Sequence, residues 1–425
     1  MTAQQTNIQE AKGKVTTLEK YKRWLYASDI HPSSGCTACG NCYGRGPANW
    51  LADEHNTADW KCVPFDYYGW RRYSPSAFWE IATKNYHGLM EIDEDVQETL
   101  FSCAQCGLCN EICGVIDRDA RLSDIFKTFR FMIYEKMGPL KGHEKPIENI
   151  KKYGNIHGID APTSIWASGL GVKMVKDHNT ETLLFSGEDA SYKLPNVAKS
   201  AAKVLKSSGL DFGIFENEVN SGYYLEVMGD RWGAEQLWKK NFDLFKKHGI
   251  KKVVCLSAQD YHVLRREFGG EFEVLHITEL LAHLISSGRV KAGNNKLVDG
   301  RKRVVYHDPC YLARQAGSRS PRERRVVEEP RSVLKAVPAL ELLELEKKGR
   351  WTWCAGECGG VKQGYPEMAS WRAERLIEDA VSTGAEILAT ATPNEQLHLM
   401  EVLSKMGKKP NLKVMDVMEI LGQSI

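Results

Sequence analysis

No apolar run in the chain approaches the ~18 to 20 residues needed to cross a bilayer, and the opening MTAQQTNIQEAKGK lacks the apolar core of a secretory signal. These absences predict a cytoplasmic protein with no direct membrane insertion. No block of one charge sign occurs: 57 basic and 55 acidic residues leave a net charge of +2, which excludes a field suited to gripping nucleic acid. There is no GxxxxGK[ST] phosphate loop and no glycine-rich dinucleotide fingerprint after a strand, so the chain alone is expected to bind no flavin or nucleotide. A disulfide scaffold is excluded too, because twelve cysteines are too dilute for one in 425 residues. They are not scattered, however. Eight lie between Cys36 and Cys113 in short-spaced groups, the pattern of metal ligands in a reducing compartment.

The chain is too long for one hydrophobic core, and its pattern divides in three. Residues 1–175 read as mainly helical, with a helix over Thr16 to Ser28 and then a helix, a cysteine loop and a helix between Val96 and about Met137. Breakers concentrate between Gly138 and Gly171, which reads as a linker. Two stretches of like layout follow, 176–295 and 296–425. The first has a strand at Thr182–Phe185, helices at Asn196–Ser207 and Ala234–Lys247, and a strand at Lys252–Leu256. The second has a strand at Arg303–Tyr306, helices near Arg331–Ala336 and over Glu367–Ser382, and a strand at Ala385–Ala389. The expected fold class is therefore multidomain α/β: a helical, ferredoxin-like N-terminal domain and then two duplicated α/β units with largely parallel sheets.

The most specific signal is Cys103-x2-Cys106-x2-Cys109-x3-Cys113. Thiolates at two-residue intervals wrap three corners of one 4Fe-4S cubane, while the fourth is carried toward a neighbouring cluster. Gly114 stands where bacterial ferredoxin runs have proline, a residue that is not a ligand. Upstream, Cys36-x2-Cys39-x2-Cys42 repeats the triple without a local fourth ligand, and Cys62 is the obvious substitute. The crossed logic of two-cluster ferredoxins assigns Cys36, Cys39, Cys42 and Cys113 to one 4Fe-4S cluster and Cys62, Cys103, Cys106 and Cys109 to the other. Structural zinc is the competing reading, but zinc sites present cysteines two and two, and a triple at this interval suits one tetrahedron badly.

Four cysteines stand apart. Cys310, in HDPCY directly after a strand-like run, and Cys354 and Cys358, in the glycine-rich WCAGECGG, form a candidate third metal site. The alternative is that they are buried or reactive thiols. Cys255 lies in an apolar strand pattern and reads as core. His307 reads as a ligand, a proton donor or a loop residue bonded to its own turn. The aromatic segment Tyr67, Tyr68, Trp70, Tyr73, Phe78 and Trp79 reads as a partner surface or as packing around the clusters.

With the double cysteine group, the two α/β units and the motifs HDPCYLAR and WCAGECGG, the chain resembles the heterodisulfide reductase D and glycerol-3-phosphate dehydrogenase C type iron–sulfur proteins, which carry a pair of CCG domains. The resemblance spans nearly the whole chain. It implies that an intact CCG domain offers a lone cysteine, a Cys-Cys-Gly and a final Cys-x2-Cys, a set able to hold a noncubane cluster that reduces disulfides. Both domains depart from it. In the first, FSGED, NSGYY from Asn220, and Ser257 with Asp260 replace the cysteines, which implies a scaffold. In the second, Cys310 and Cys354 match, Ala355 takes the second place of the pair, Cys358 is extra, and ATPNE lacks the final pair. The resemblance then implies an electron-relay subunit of an anaerobic redox complex, partnered by a flavin-containing heterodisulfide reductase A-like subunit. Relatives with eroded sites include a subunit of the class II benzoyl-coenzyme A reductase complex. Direct oxidoreductase chemistry at a C-terminal thiolate centre, including quinone-linked chemistry, is the alternative.

Overall fold

The computed structural model describes residues 36, 40, 42, 62–113, 122–178, 180–293, 302–316, 325–338, 340–407 and 410–425. The helix expected over Thr16 to Ser28 lies outside them, as does Cys39.

The first described segment is helical, as its periodicity predicts. Helices run over Pro75–Tyr86, Glu94–Phe101, Leu108–Ile112 and Leu122–Met137. Ser74 and Asp93 cap the first two, each accepting a backbone N–H from three residues on, so the chain turns into helix where a free N–H would otherwise stay unpaired. Ile125, Phe126, Phe129 and Ile133 share one face of the long helix and pack on Phe78, Leu100 and Phe101. Arg130 lies among them and is fully buried.

The breaker-rich stretch is not an open linker. It holds a helix, Glu144–Tyr153, whose Ile147 and Ile150 enter the main core and whose end is turned by Gly154 in the left-handed region. Its glycines and prolines punctuate a packed segment; they do not separate two bodies.

Among the described residues, nine strands then form two wholly parallel sheets. In the first, β1 (Lys173–Met174), β2 (Thr182–Phe185), β3 (Gly213–Ile214), β4 (Lys252–Cys255) and β5 (Glu273–His276) are ordered β1-β3-β2-β4-β5. In the second, β6 (Lys302–Tyr306), β7 (Leu340–Glu344), β8 (Ile387–Thr390) and β9 (Lys413–Asp416) are ordered β7-β6-β8-β9. Setting β1 aside, β2 to β5 and β6 to β9 share one strand order. Both sheets also end alike: β5 and β9 each run into a helix through a capping box, His276 with Glu279 and Asp416 with Glu419. The two stretches of like layout are thus one topology used twice.

This topology decides where a site can form. From β6 the chain turns outward to β7, and from β8 it turns the other way to β9, so a crevice opens at the carboxyl ends of β6 and β8. The equivalent crevice of the first sheet lies beyond β2 and β4. No described helix is long and apolar enough to cross a membrane.

Candidate metal centre

Tyr306 ends β6, and the next residues, His307 to Cys310, enter the crevice. Asp308 is buried and takes Arg331 in a two-pronged ion pair, 2.7 Å at each oxygen, while Gly349 N–H reaches the same carboxylate at 2.8 Å. Arg331 also grips Glu344 at the end of β7. One carboxylate therefore ties the turn after β6 to the loop after β7. That loop carries Cys354 and Cys358 back over Cys310.

The three sulfurs lie within 4.8 Å of one another, all buried, with Cys310 Sγ 3.5 Å from Cys358 Sγ. Cys354 Sγ accepts the Gly356 N–H at 3.4 Å, and Gln259 Nε2 lies 3.7 Å from Cys358 Sγ. Hydrogen bonds from Cys354 and Cys358 push the Cys310 thiol down to about 7, whereas burial and its thiol neighbours push Cys358 up. The thiolate is the form that binds metal. Glu357 Oε1 is 3.0 Å from Cys358 Sγ, and its other oxygen is buried without a hydrogen-bond partner among the described residues.

His307 is not bonded to its own turn and is not free to ligate. Its Nδ1 meets Glu395 at 2.8 Å, in the first turn of the helix Pro393–Lys405 after β8, and its Nε2 meets the Trp353 carbonyl at 2.8 Å. It braces Cys354 from behind. Cys255 is fully buried at the end of β4, as its apolar context implies.

In the N-terminal group, the thiols of Cys62, Cys103 and Cys109 are buried. Cys103 and Cys109 belong to the helical core, with Cys36, Cys42 and Cys113 packed against it. Burial pushes Cys62 and Cys109 up, and Cys103 to about 11; Cys42, Cys62, Cys103 and Cys106 all act electrostatically within this group. The loop that carries them is bent in a particular way. Gln105, φ 53°, is the one non-glycine residue with positive φ among the described residues, and Gly107 follows at φ 74°. Left-handed residues alternating with right-handed ones turn successive N–H groups inward, a concavity that suits an anion. Gln105 and Leu108 N–H groups accordingly reach the sulfurs of Cys103 and Cys106.

Three guanidinium groups, those of Arg130, Arg314 and Arg372, are buried around these sulfurs. Among the described residues none forms an ion pair with a carboxylate. Arg130 donates to five carbonyls, Arg314 to those of Cys106, Arg350 and Thr352, and Arg372 to that of Cys354. Burial alone would lower Arg314, but the neighbouring Cys106, Cys310 and Cys354 outweigh it and raise it. Arg314 Nη2, both terminal nitrogens of Arg372 and the Gln105 side-chain amide are buried without a hydrogen-bond partner among the described residues. Burying a cation without a counter-charge is costly, as is leaving a buried donor unmade. Anionic sulfur would answer both, so the donors and charges present fit an iron–sulfur group.

The first sheet's crevice is different. Ser186, Glu188, Asp189, Ser257 and Asp260 close around a cavity of about 10 Å³, room for one water. Ser221 Oγ bonds Asp260 at 2.5 Å, and Asn220 bonds Glu188. This half nevertheless lends two groups to the thiol site, Gln259 on Cys358 and Tyr223, whose hydroxyl accepts the Gly359 N–H at 3.0 Å. Sequence reading treated it as a scaffold alone and missed both, because neither belongs to a motif. Of the aromatic segment, Phe78 and Trp79 are packing, Tyr68 stacks on Tyr73 at 4.0 Å, and Trp70 is exposed.

A repeated parallel α/β fold places a buried three-thiol site at the switch point of its second sheet. Residues 304–399 match the cysteine-rich domain family CCG. It is 28% identical over 417 residues to the D-type component of the dihydromethanophenazine:CoB–CoM heterodisulfide reductase of Methanosarcina acetivorans, covering 94% of this chain and 96% of that one. It is 29% identical over 334 residues to the B-type component of the fumarate reductase (CoM/CoB) of Methanothermobacter marburgensis, covering 77% of this chain and 62% of that protein. It is also similar to a probable iron–sulfur-binding oxidoreductase of Bacillus subtilis, at 26% identity over 359 residues, 81% of this chain and 49% of the relative.

Proposed function

We propose that this chain is an iron–sulfur electron-transfer subunit of a redox complex. The observation that carries the reading is the set of three buried guanidiniums, none ion-paired to a carboxylate among the described residues and two of them with unpaired donors, beside the buried thiols of Cys62, Cys103 and Cys109 and of Cys310, Cys354 and Cys358. Bound there, iron–sulfur clusters supply reversible one-electron storage, with potentials set by ligation, burial and hydrogen bonds to sulfur. The residues do the rest. Cys36, Cys39, Cys42 and Cys113 hold one 4Fe-4S cluster; Cys62, Cys103, Cys106 and Cys109 hold a second; Cys310, Cys354 and Cys358 hold a third centre. Arg130, Arg314 and Arg372 balance the negative charge, and the Gln105 amide donates to sulfur. Because the three C-terminal thiols are buried, the site suits passing electrons onward more than touching a disulfide or an acid substrate.

Similarity along most of the chain to a heterodisulfide reductase component supports partners within a multi-subunit reductase, and a flavin-bearing heterodisulfide reductase A-like subunit is the natural donor or acceptor. The finer reading, a subunit of a class II benzoyl-coenzyme A reductase complex in an anaerobe's cytosol, rests on the incomplete second CCG set.

Anaerobic iron and acid-labile sulfide analysis with EPR tests this. Two cubanes account for about eight iron and eight sulfide per chain. Wild type is expected to exceed that level. The Cys310→Ser, Cys354→Ser, Cys358→Ser triple variant is expected to fall back to it with the N-terminal signals intact. Zinc without sulfide would instead make the chain a metal-stabilised scaffold, and an unchanged iron content in the triple variant would remove the third centre.

A further inference from the structure

The loop of Cys103 to Cys106 does not merely lie near the C-terminal site; it is pressed onto it. Arg314 Nε donates to the Cys106 carbonyl at 2.8 Å, and Gln315 Nε2 donates to the Gln105 carbonyl at 2.8 Å. Both residues stand just beyond Cys310, in the segment that follows β6. From the other side, Arg130 bonds the carbonyls of Cys103 and Gly359 together, at 2.5 and 2.7 Å, and His143 Nε2 holds the Gly360 carbonyl at 2.8 Å. Between these clamps Cys106 packs against the apolar cluster that contains Cys354 and Cys358, and the Cys106 and Cys354 side chains lie close enough to interact.

The approach needs glycine at 359. A Cβ there would lie 2.7 Å from the Ala104 carbonyl carbon, 2.8 Å from its oxygen and 3.0 Å from the Cys103 oxygen, all backbone atoms unable to yield without moving the loop. The Gly359 φ of +67° adds to the demand.

We propose that Cys106 and Cys354 form the junction between the N-terminal cysteine set and the C-terminal thiolate site, the contact through which an electron passes from one to the other. The inference rests on the reading that both sets hold iron–sulfur centres. One electron moves across the sulfur–sulfur contact; no bond forms or breaks, and the electron comes from a one-electron reductant, dithionite in the test. The clamps from Arg130, Arg314 and Gln315 hold the contact by hydrogen bonds to backbone carbonyls.

The test separates the loops without changing a cysteine. The full-length anaerobic holoprotein is reduced with dithionite, and its EPR spectrum is compared with that of Cys310→Ser; the spin–spin splitting lost in Cys310→Ser is the part due to the C-terminal centre. In Gly359→Ala, where the new Cβ wedges the loops apart, that splitting is expected to vanish while iron and sulfide per chain match wild type. Gln315→Ala, which removes one clamp and adds no bulk, is expected to weaken it and serves if Gly359→Ala does not fold. Splitting unchanged in a fully loaded Gly359→Ala or Gln315→Ala protein overturns the junction. Wild type with no iron beyond that of the N-terminal set also overturns it, but by removing the third centre beneath it, which metal analysis distinguishes from a failed contact.

Discussion

Replacement of Arg130 by methionine is expected to cost more than about 4 kcal/mol of folding stability, and to leave little soluble protein. The arginine makes six hydrogen bonds to five buried carbonyls, those of Leu100, Phe101, Cys103, Val227 and Gly359. Methionine has similar length but no donors, so all five acceptors lose this partner; the Leu100 carbonyl keeps the Cys103 N–H at 3.5 Å, and each acceptor left unpaired costs roughly 1–3 kcal/mol where water cannot replace the lost donor. The guanidinium fork also joins three parts of the chain: the cysteine loop, the end of the helix Tyr223–Val227 and the WCAGECGG loop. Arg130→Lys keeps the charge but offers donors from one point, so it is expected to fall between the two. Urea unfolding followed by circular dichroism measures the difference. A midpoint for Arg130→Met equal to wild type would mean that the carbonyls find other donors, and the buried cation would lose its architectural role.

The second large effect concerns Asp308. Asp308→Ala is expected to lose about 3–5 kcal/mol, the usual cost of stranding one partner of a buried ion pair. Arg331 would retain Glu344, but Gly349 N–H would lose its acceptor, and the loop after β7 would lose its tie to the turn that carries Cys310. The consequence should be local as well as global: metal at Cys310, Cys354 and Cys358 is lost before metal at the N-terminal cysteines. Asp308→Asn, which keeps one acceptor, should retain more of both. Thermal unfolding with metal analysis of the surviving folded fraction reads the two effects apart. If Asp308→Ala unfolds as wild type does and keeps its iron, the ion pair does not position the site.

The strands that sequence pattern made legible are the central ones. Thr182–Phe185, Lys252–Cys255, Lys302–Tyr306 and Ile387–Thr390 are flanked on both sides in their sheets and each carries an apolar run of three residues, LLF, VVC, VVY and ILA, which a strand segment buried on both faces requires. Other strands leave no such mark. Leu340–Glu344 has the sequence LELLE, whose leucines and glutamates favour helix in isolation; pairing with β6 over five residues makes it a strand. Gly213–Ile214 is two residues long and carries no pattern at all. Breakers misled between Gly138 and Gly171, where Gly154 ends a helix that buries Ile147 and Ile150 in the main core.

The site divides in the same manner. Cysteines two or three residues apart make the proposed cluster ligands legible in the sequence itself, because the ligands of one cluster must come from a loop short enough to wrap it. Local spacing therefore determined the N-terminal thiol groups, the alternation of strand and helix, and the candidacy of Cys310, Cys354 and Cys358. Tertiary structure alone decided that the last three share one crevice, that His307 turns to Glu395 and away from the sulfurs, and that Cys106 meets Cys354. Each of those contacts joins residues far apart in the chain, and their nearness comes from the strand order of a parallel sheet and from buried arginines that need carbonyl partners. Neither requirement leaves a mark at any fixed spacing, so short-range pattern announced the ligands and long-range packing arranged them.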